Sequence, residues 1–266
     1  MRCDGTPRGS RRRYGYAVQG LVCAVWAVAL VACVRGRPGP LRIGMNPWPG
    51  NGFLFLAEAK GFLAAEGVQV RLVESTSLDD VVRAFDRGEI DGMTGTLADV
   101  LESRDRTRRA PRAFMALGAS SATDVILARA GVVTVGAVET IDDVPEEVFD
   151  VLALAADVLE RRARDAAALV RAWDRTLAFA AENRTEAEDF MARREEVSVE
   201  ELRDALAGIR MLTSREQRSL FAPDGPLVTA AEAMAAAMHA TGQLRDGGAV
   251  ADCLAPEPLA RAGRRG

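Results

Sequence analysis

Side chains suited to holding a small ligand follow two of the predicted strands. Trp48 supplies a broad apolar face with one N–H donor. Asn51, Thr94 and Thr96 supply short polar groups beside backbone amides at predicted helix starts. Such amides, aided by the helix dipole, hold a small anion without a lysine, whereas an aromatic or heterocyclic solute would stack on Trp48. The sequence leaves both ligand chemistries open.

Alternating strands and helices must position these residues. Residues 41–45 alternate as a strand, a Pro- and Gly-rich turn follows, and Asn51 is placed as the N-cap of the next helix, with its backbone N–H groups free. Thr94-Gly95-Thr96 is predicted to be a turn, and Thr96 has capping-box spacing to Asp99. The remaining early elements are predicted as strands at 68–73 and 90–93 and helices at 53–63, 78–87 and 97–103.

This alternation predicts an α/β fold with a parallel-rich sheet flanked by helices. In such sheets the ligand crevice lies at the carboxyl ends of the strands. The turns that carry Trp48 and Thr94 both fall there, so we expect them to lie side by side. Strands at 113–117 and 148–154 are also predicted.

Three segments resemble the nitrate/sulfonate/taurine family of ABC-transporter substrate-binding proteins, which includes the thiamine-precursor binding proteins. They are WPG at 48–50, LAEAKGFLAAEGV at 56–68 and FDRGEIDG at 85–92. The resemblance covers most of residues 41–131 and resumes from about 145 to 244. It implies a two-lobed type II periplasmic-binding-protein fold, a small-molecule solute and an ABC permease partner. It also implies that Pro49 and Gly50 lie at the ligand with Trp48.

The same resemblance adds candidates after the fourth strand. In the family, the polar turn before the next strand, here 124–129, also faces the ligand. Ser120, Ser121 and Thr123 therefore become candidate ligand contacts. Their alternative role is turn formation, to which Ser and Thr are suited.

The second lobe of that family is largely absent from this sequence. A domain needs roughly 50 residues, and far fewer separate the predicted strands at 124–129 and 148–154. We therefore expect lobe one to comprise 41–131 and 146–246, with 132–145 as a short connection replacing lobe two. The C-terminal part is predicted to be helical, with Leu169, Trp173, Leu177 and Ala180 on one face of a helix at 157–181. Capping-box spacings at 185–188, 198–201 and 214–217 predict further helix starts, and the tail at 247–266 is expected to be loose.

The N-terminal residues are predicted to be a targeting segment. Arginines at 8 and 11–13 precede an apolar run at 14–32, which ends in Leu30-Val31-Ala32-Cys33. That ending resembles a bacterial lipobox, which implies a signal peptide at 1–32, a lipid on Cys33 and a linker at 33–40. The alternative is an uncleaved anchor helix. Both place the rest of the chain outside the cytoplasm, because the basic flank stays inside.

Composition removes several function classes. A net charge of −4 gives no electrostatic case for nucleic acid. The sequence has one histidine and four cysteines, of which only Cys253 would remain as a free thiol in a mature lipoprotein, so it predicts neither a metal site nor a disulfide. Relatives in thiamine biosynthesis use a histidine beside a cofactor-bound lysine, but Lys60 has no histidine near it in sequence. The sequence therefore predicts no enzyme and no cofactor. It favours a lipid-anchored solute receptor, with a single lobe that has lost solute capture as the alternative.

Overall fold

A six-stranded mixed sheet lies at the centre of the computed structural model, which describes residues 39–121, 147–245 and 250–264 together with Met1. The strands are β1 (Leu41–Met45), β2 (Val70–Glu74), β3 (Gly92–Thr96), β4 (Arg112–Ser121), β5 (Glu147–Leu154) and β6 (Ile209–Met211). Their order is β2-β1-β3-β5-β4-β6. β1 pairs in parallel with β2 and β3, whereas β5 lies antiparallel between β3 and β4, and β6 is antiparallel to β4. β1 to β4 therefore all run in one direction, which agrees with the predicted α/β class.

Eleven α-helices flank this sheet in the described residues. They are α1 (Gly52–Ala59), α2 (Phe62–Ala65), α3 (Leu78–Asp86), α4 (Leu97–Arg106), α5 (Ala156–Arg161), α6 (Ala163–Glu182), α7 (Arg184–Arg194), α8 (Val199–Leu206), α9 (Ser214–Leu220), α10 (Pro226–Ala240) and α11 (Glu257–Ala262). None of the helices in these residues is long and apolar enough to cross a membrane.

The first helix after β1 is split where one helix was predicted. A 3₁₀ turn, Pro49–Asn51, leads directly into α1, and Gly61 with φ of 69° separates α1 from α2. Only glycine adopts that left-handed conformation without strain, so the helix stops and restarts there. α1 buries Gly52 to Ala57, because α6 and α7 cover the side that a surface helix would show to water.

The second and third units follow the prediction closely. Ser77 caps α3 by accepting from the Asp80 N–H, and Gly88, with φ of 77°, follows the helix. Thr96 and Asp99 form the predicted capping box at the start of α4. Each cap satisfies backbone N–H groups that have no partner inside the helix, which explains why these starts could be read from sequence.

Two strands extend further than predicted. Thr94, Gly95 and Thr96 lie in β3 rather than in a turn, and β4 continues through Ser120 and Ser121 rather than ending at Leu117. The reason is tertiary: β5 pairs with both strands along these stretches and supplies the ladder hydrogen bonds. The predicted strand at 124–129 and the connection at 132–145 lie outside the described residues.

The predicted apolar face is buried in the core, where α6 packs mainly on α1, α2, α7 and α11, and the predicted helix breaks at Arg162. Leu169 and Trp173 are fully buried, and Leu177 and Ala180 pack partly buried against the same core. Trp173 donates its indole N–H to the Leu212 carbonyl at 2.8 Å and meets Phe53 edge-on at 6.0 Å between ring centroids. The indole ring of Trp173 therefore packs among apolar groups, and its single N–H donor has an acceptor.

The three further capping boxes had different outcomes. Ser198 and Glu201 form the predicted box of α8. At α9 the box is one residue earlier, Thr213 with Glu216, because Gln217 is buried and bonded to the Ala116 N–H and the Leu212 carbonyl. The prediction of a capping box at 185–188 is wrong, because α7 begins at Arg184 and Glu188 forms ion pairs with Arg184 and Arg203 instead.

Within the segment 247–266, which was expected to be loose, the described residues 250–264 fold against the core. A 3₁₀ turn, Val250–Cys253, precedes α11, and Leu254 pairs with Ala113 at the sheet. Ala255 donates its N–H to the Ala113 carbonyl at 2.8 Å. Cys253 and Leu259 are buried, so apolar burial against β4 and α6 holds residues that Gly, Pro and charge content made look loose.

Candidate functional site

The carboxyl ends of β1, β3 and β4 lie on one edge of the sheet, and β5 starts there. Asp150 of β5 is opposite Thr96 of β3 on one side and Gly118 of β4 on the other. Side chains of paired residues share a face and alternate along each strand. Thr94, Thr96, Asp150, Gly118 and Ser120 therefore share one face of the sheet near this edge.

Trp48 crosses to this face from the turn after β1. Its indole packs on Gly50, where a Cβ would overlap the ring, and reaches β4, where a Cβ on Gly118 would lie 3.5 Å from two indole carbons. Ile209 of β6 approaches the same point from the other side. The two glycines allow a half-buried Trp48 to lie flat between the turn and the sheet, so the indole forms one apolar wall.

Asn51 is buried behind this wall, with 2% of its surface exposed. Its Nδ2 donates to the Asn46 carbonyl at 2.8 Å, whereas its Oδ1 has no hydrogen-bond partner among the described residues. Its backbone N–H donates to the Trp48 carbonyl at 2.9 Å. Asn51 is the N-cap residue of α1, as predicted, but its side chain makes no capping hydrogen bond and the 3₁₀ turn at Pro49–Asn51 uses its backbone N–H.

The two predicted threonines have different surroundings. Thr94 is 1% exposed, and its hydroxyl is without a hydrogen-bond partner in the described part of the chain. The Thr96 hydroxyl donates to Asp99 Oδ2 at 2.6 Å as part of the α4 cap. Thr96 thus has a structural role that accounts for its side chain, while Thr94 leaves a buried polar group available.

Asp150 is the feature of this site that sequence reasoning missed. It is half-buried, and burial raises the pKa of its carboxyl group to about 7, with the negative charge of Asp99 adding to the effect. No arginine or lysine within the described residues pairs with it. The signal was present, since one acidic residue interrupts the apolar run Val148-Phe149-Asp150-Val151-Leu152.

Only some of the remaining predicted site residues lie at this edge of the sheet. Ser120 shares the face of Gly118 and is half-buried opposite Val148 and Ile209. Ser121 ends β4 opposite Glu147, and Pro49 opens the 3₁₀ turn. Thr123 and Cys33 lie outside the described residues.

The described groups at this edge are hydrogen-bond donors and acceptors beside an indole ring. Burial raises the pKa of the Cys253 thiol to about 11, which keeps it neutral in the core below α11. Across residues 39–121, 147–245 and 250–264, no cluster of three His, Cys, Asp or Glu side chains could hold a metal ion. Asn51 Oδ1 and the Thr94 hydroxyl are buried hydrogen-bond acceptors without a partner in the described residues, and the Asp150 carboxylate is a third acceptor, on the face of Thr94.

Solved structures of transport proteins share this architecture. The ligand-binding component of an ABC-type import system from Staphylococcus aureus, with zinc bound, is 14% identical, with a TM-score of 0.60 over 85% of this chain and 99% of that one. The alkanesulfonate-binding protein from Xanthomonas axonopodis pv. citri bound to MOPS is 11% identical, with a TM-score of 0.55 over 83% and 99%. The periplasmic nitrate-binding protein from Synechocystis PCC 6803 is 15% identical, with a TM-score of 0.56 over 84% and 87%.

These similarities are carried by structure alone. No family model matches the sequence, and no curated protein matches it either. Structural similarity at identities of 11–15% establishes the fold, so the ligand of this chain has to be inferred from its own residues. The chain has the fold of a periplasmic-binding-protein lobe, the fold found in nitrate- and sulfonate-binding proteins of ABC transporters.

Proposed function

We propose that this chain is the extracytoplasmic, lipid-anchored solute-binding component of an ABC importer. Its solute is a small organic molecule or a small anion of the nitrate, sulfonate or taurine kind, and its protein partner is an ABC permease. One observation carries the proposal: Trp48 packs over Gly118, the partner of Asp150 in the sheet, and Thr94 lies on the same face as Asp150, near the edge where ligands bind in α/β sheets.

The anchor and the location rest on the N-terminal sequence. Leu30-Val31-Ala32-Cys33 follows a basic segment and an apolar run, as in bacterial lipoprotein signals. The lipid on Cys33 would hold the protein at the outer side of the membrane, where a permease can collect its solute. The transport proteins with this fold also work outside the cytoplasm, as their description as periplasmic indicates.

A single lobe without solute capture is the second candidate. β4 and β5 are paired up to Ser121 opposite Glu147, and residues 122–146 alone connect them. A domain needs roughly 50 residues, so this length is too short for a full second lobe. Receptors of this fold bind by closing two lobes, and one lobe offers fewer contacts and weaker binding.

Thermal shift of the full-length protein separates these candidates. We expect at least one of nitrate, alkanesulfonates, taurine or pyrimidines to raise the melting temperature, because ligands that bind only the folded state stabilise it. Trp48→Ala should abolish that shift by removing the apolar wall. Pro47→Ala, an exposed neighbour in the same turn, should keep it. If the whole panel leaves the melting temperature unchanged, the single-lobe alternative is favoured.

The anchor has a separate test. Growth with a radioactive fatty acid should label the wild-type protein and leave Cys33→Ala unlabelled. The matched control is Cys23→Ala, which changes a cysteine of the apolar run and should still be labelled. Equal labelling of wild type and Cys33→Ala would remove the lipoprotein assignment without touching the solute-binding test.

A further inference from the structure

We propose that Asp150 selects the solute of this protein by receiving a cationic, N–H-donating nitrogen of a small organic molecule whose apolar part lies against Trp48. The inference rests on the proposed function and narrows its solute class. It assigns a specificity-determining role to a residue in the middle of the sheet, and it disfavours simple anions such as nitrate.

The position of Asp150 is the first argument. The residue lies between Thr96 and Gly118, and the glycine on the β4 side places no side chain of its own beside the carboxylate. Trp48 and Ile209 approach over that glycine. The Asp150 side chain therefore lies beside an apolar wall formed by Trp48 and Ile209.

The absence of a partner for Asp150 is unusual in this molecule. Arginines neutralise other poorly exposed carboxylates: Glu66 pairs with Arg171 and Arg175, and Glu188 pairs with Arg184 and Arg203. Among the described residues, Asp150 has no such partner, and the nearest acting charge is that of Asp99 on α4. A half-buried acid without a cation of its own is suited to a cation supplied by a ligand.

Two buried polar atoms without hydrogen-bond partners in the described residues also favour an N–H-donating ligand. The Asn46 carbonyl can only accept a hydrogen bond, so the amide nitrogen of Asn51 must face it and the unpaired atom is the acceptor Oδ1. Thr94 is on the face of Asp150, two residues before Thr96, and its hydroxyl is unpaired. Unsatisfied buried groups are rare in folded proteins, and here both can accept from an N–H donor.

An anion has little to bind to at the same place. The Asn51 and Gly52 N–H groups, which the helix start would otherwise offer to an anion, donate to carbonyls of the 3₁₀ turn. Asp150 and Asp99 add negative charge beside Thr96. The site thus combines acceptors, negative charge and an aromatic face, which match a protonated amine on an apolar skeleton.

Matched ligand pairs test the inference on the full-length protein. Taurine and ethanesulfonate differ by one ammonium group, and benzylammonium and benzoate place opposite charges on one ring. At pH 8 we expect the amine of at least one pair to stabilise the wild type with an apparent affinity at least tenfold above that of its partner. Asp150→Asn should lose at least tenfold of the amine affinity, whereas Asp224→Asn, an exposed acid before α10, should lose none.

A pH series on the wild-type protein provides a second test of the role of Asp150, beside the Asp150→Asn variant. The stabilisation by the amine should weaken as pH falls from 8.5 to 5.5, because Asp150, whose pKa is raised to about 7, then loses its negative charge. Equal responses to both members of each pair, anion-only responses, or full amine response in Asp150→Asn would overturn the role of Asp150 and leave solute binding intact. Silence from every compound would overturn both this inference and the proposed function.

Discussion

At the residue scale, Asp150 is a charge that the fold must tolerate without a protein cation. Its carboxyl pKa rises from an ordinary value of 3.8 to about 7 because burial strips water from it and Asp99 repels it. The folded state therefore holds a proton that the unfolded state has already released at neutral pH. Such a residue lowers stability where it is ionised, which is typical of groups kept for binding.

This gives a pH-dependent prediction for Asp150→Asn. Between pH 4 and 7 the wild-type folded state binds more protons than the unfolded state, so the free energy of unfolding falls as pH rises and stays low above pH 7. The variant lacks this loss. We expect it to be more stable than wild type by about 1–3 kcal/mol at pH 8 and by far less at pH 4.5.

Urea denaturation of the unliganded proteins at pH 4.5, 6 and 8 measures the difference. Asp224→Asn provides the reference for replacing an exposed acid, and its difference should stay within about 0.5 kcal/mol at every pH. A stability gain for Asp150→Asn that is constant from pH 4.5 to 8 would show that burial does not shift this carboxyl group.

At the element scale, helix starts depend on which capping contacts form. Ser198 accepts from the Glu201 N–H, and Glu201 Oε2 accepts from both the Ser198 N–H and hydroxyl. The spacing at 185–188 is identical, but Asn183 precedes α7 and no capping side-chain bond forms there. Sequence spacing alone therefore overcounts caps, because competing partners such as Arg203 can capture the acidic residue.

The pair Ser198→Ala and Thr185→Ala turns this difference into a prediction. We expect Ser198→Ala to reduce the free energy of unfolding by about 1 kcal/mol, because the Glu201 N–H loses its acceptor and the Glu201 carboxylate loses the Ser198 hydroxyl. Thr185→Ala should change it by less than about 0.5 kcal/mol. Chemical denaturation of both variants decides the matter, and equal losses would mean that the box at 198–201 contributes no more than the spacing at 185–188.

Residue patterns that are local in the sequence predicted most of the fold and about half of the candidate site. The turn at Trp48, the cap at Thr96 and the buried face of Trp173 each depend on residues close in sequence, so patterning predicted them. The extension of β3 through Thr94 to Thr96, and the position of Asp150 between β3 and β4, depend on strand pairing across more than 30 residues. No local pattern encodes that pairing, which is why the acidic group at the site was missed.

At the scale of the whole molecule, the C-terminal residues pack on the sheet near the start of β4, at the end of that strand opposite the proposed site. Leu254 pairs with Ala113 near the start of β4, and α11 packs on α6 and β4. Leu259 is 1% exposed within α11. The apolar residues at 253–255 and 259 thus complete the main hydrophobic core, and removing them should affect the entire fold.

Leu259→Ala tests this integration. We expect a loss of about 2–4 kcal/mol in the free energy of unfolding, because a buried leucine leaves a cavity between α11 and α6. Arg261→Ala, an exposed change on the same helix, should cost less than about 0.5 kcal/mol. Similar small effects for both variants would restore the expectation of a loose tail.

The pairing of Ser121 with Glu147 has a consequence for how proteins of this shape can change over generations. The ladder between β4 and β5 brings the two chain ends that flank residues 122–146 next to each other. Lengthening a flexible connection costs only about 0.6 kcal/mol for each doubling of its length. The connection between Ser121 and Glu147 can therefore change in length while the remaining sheet stays folded.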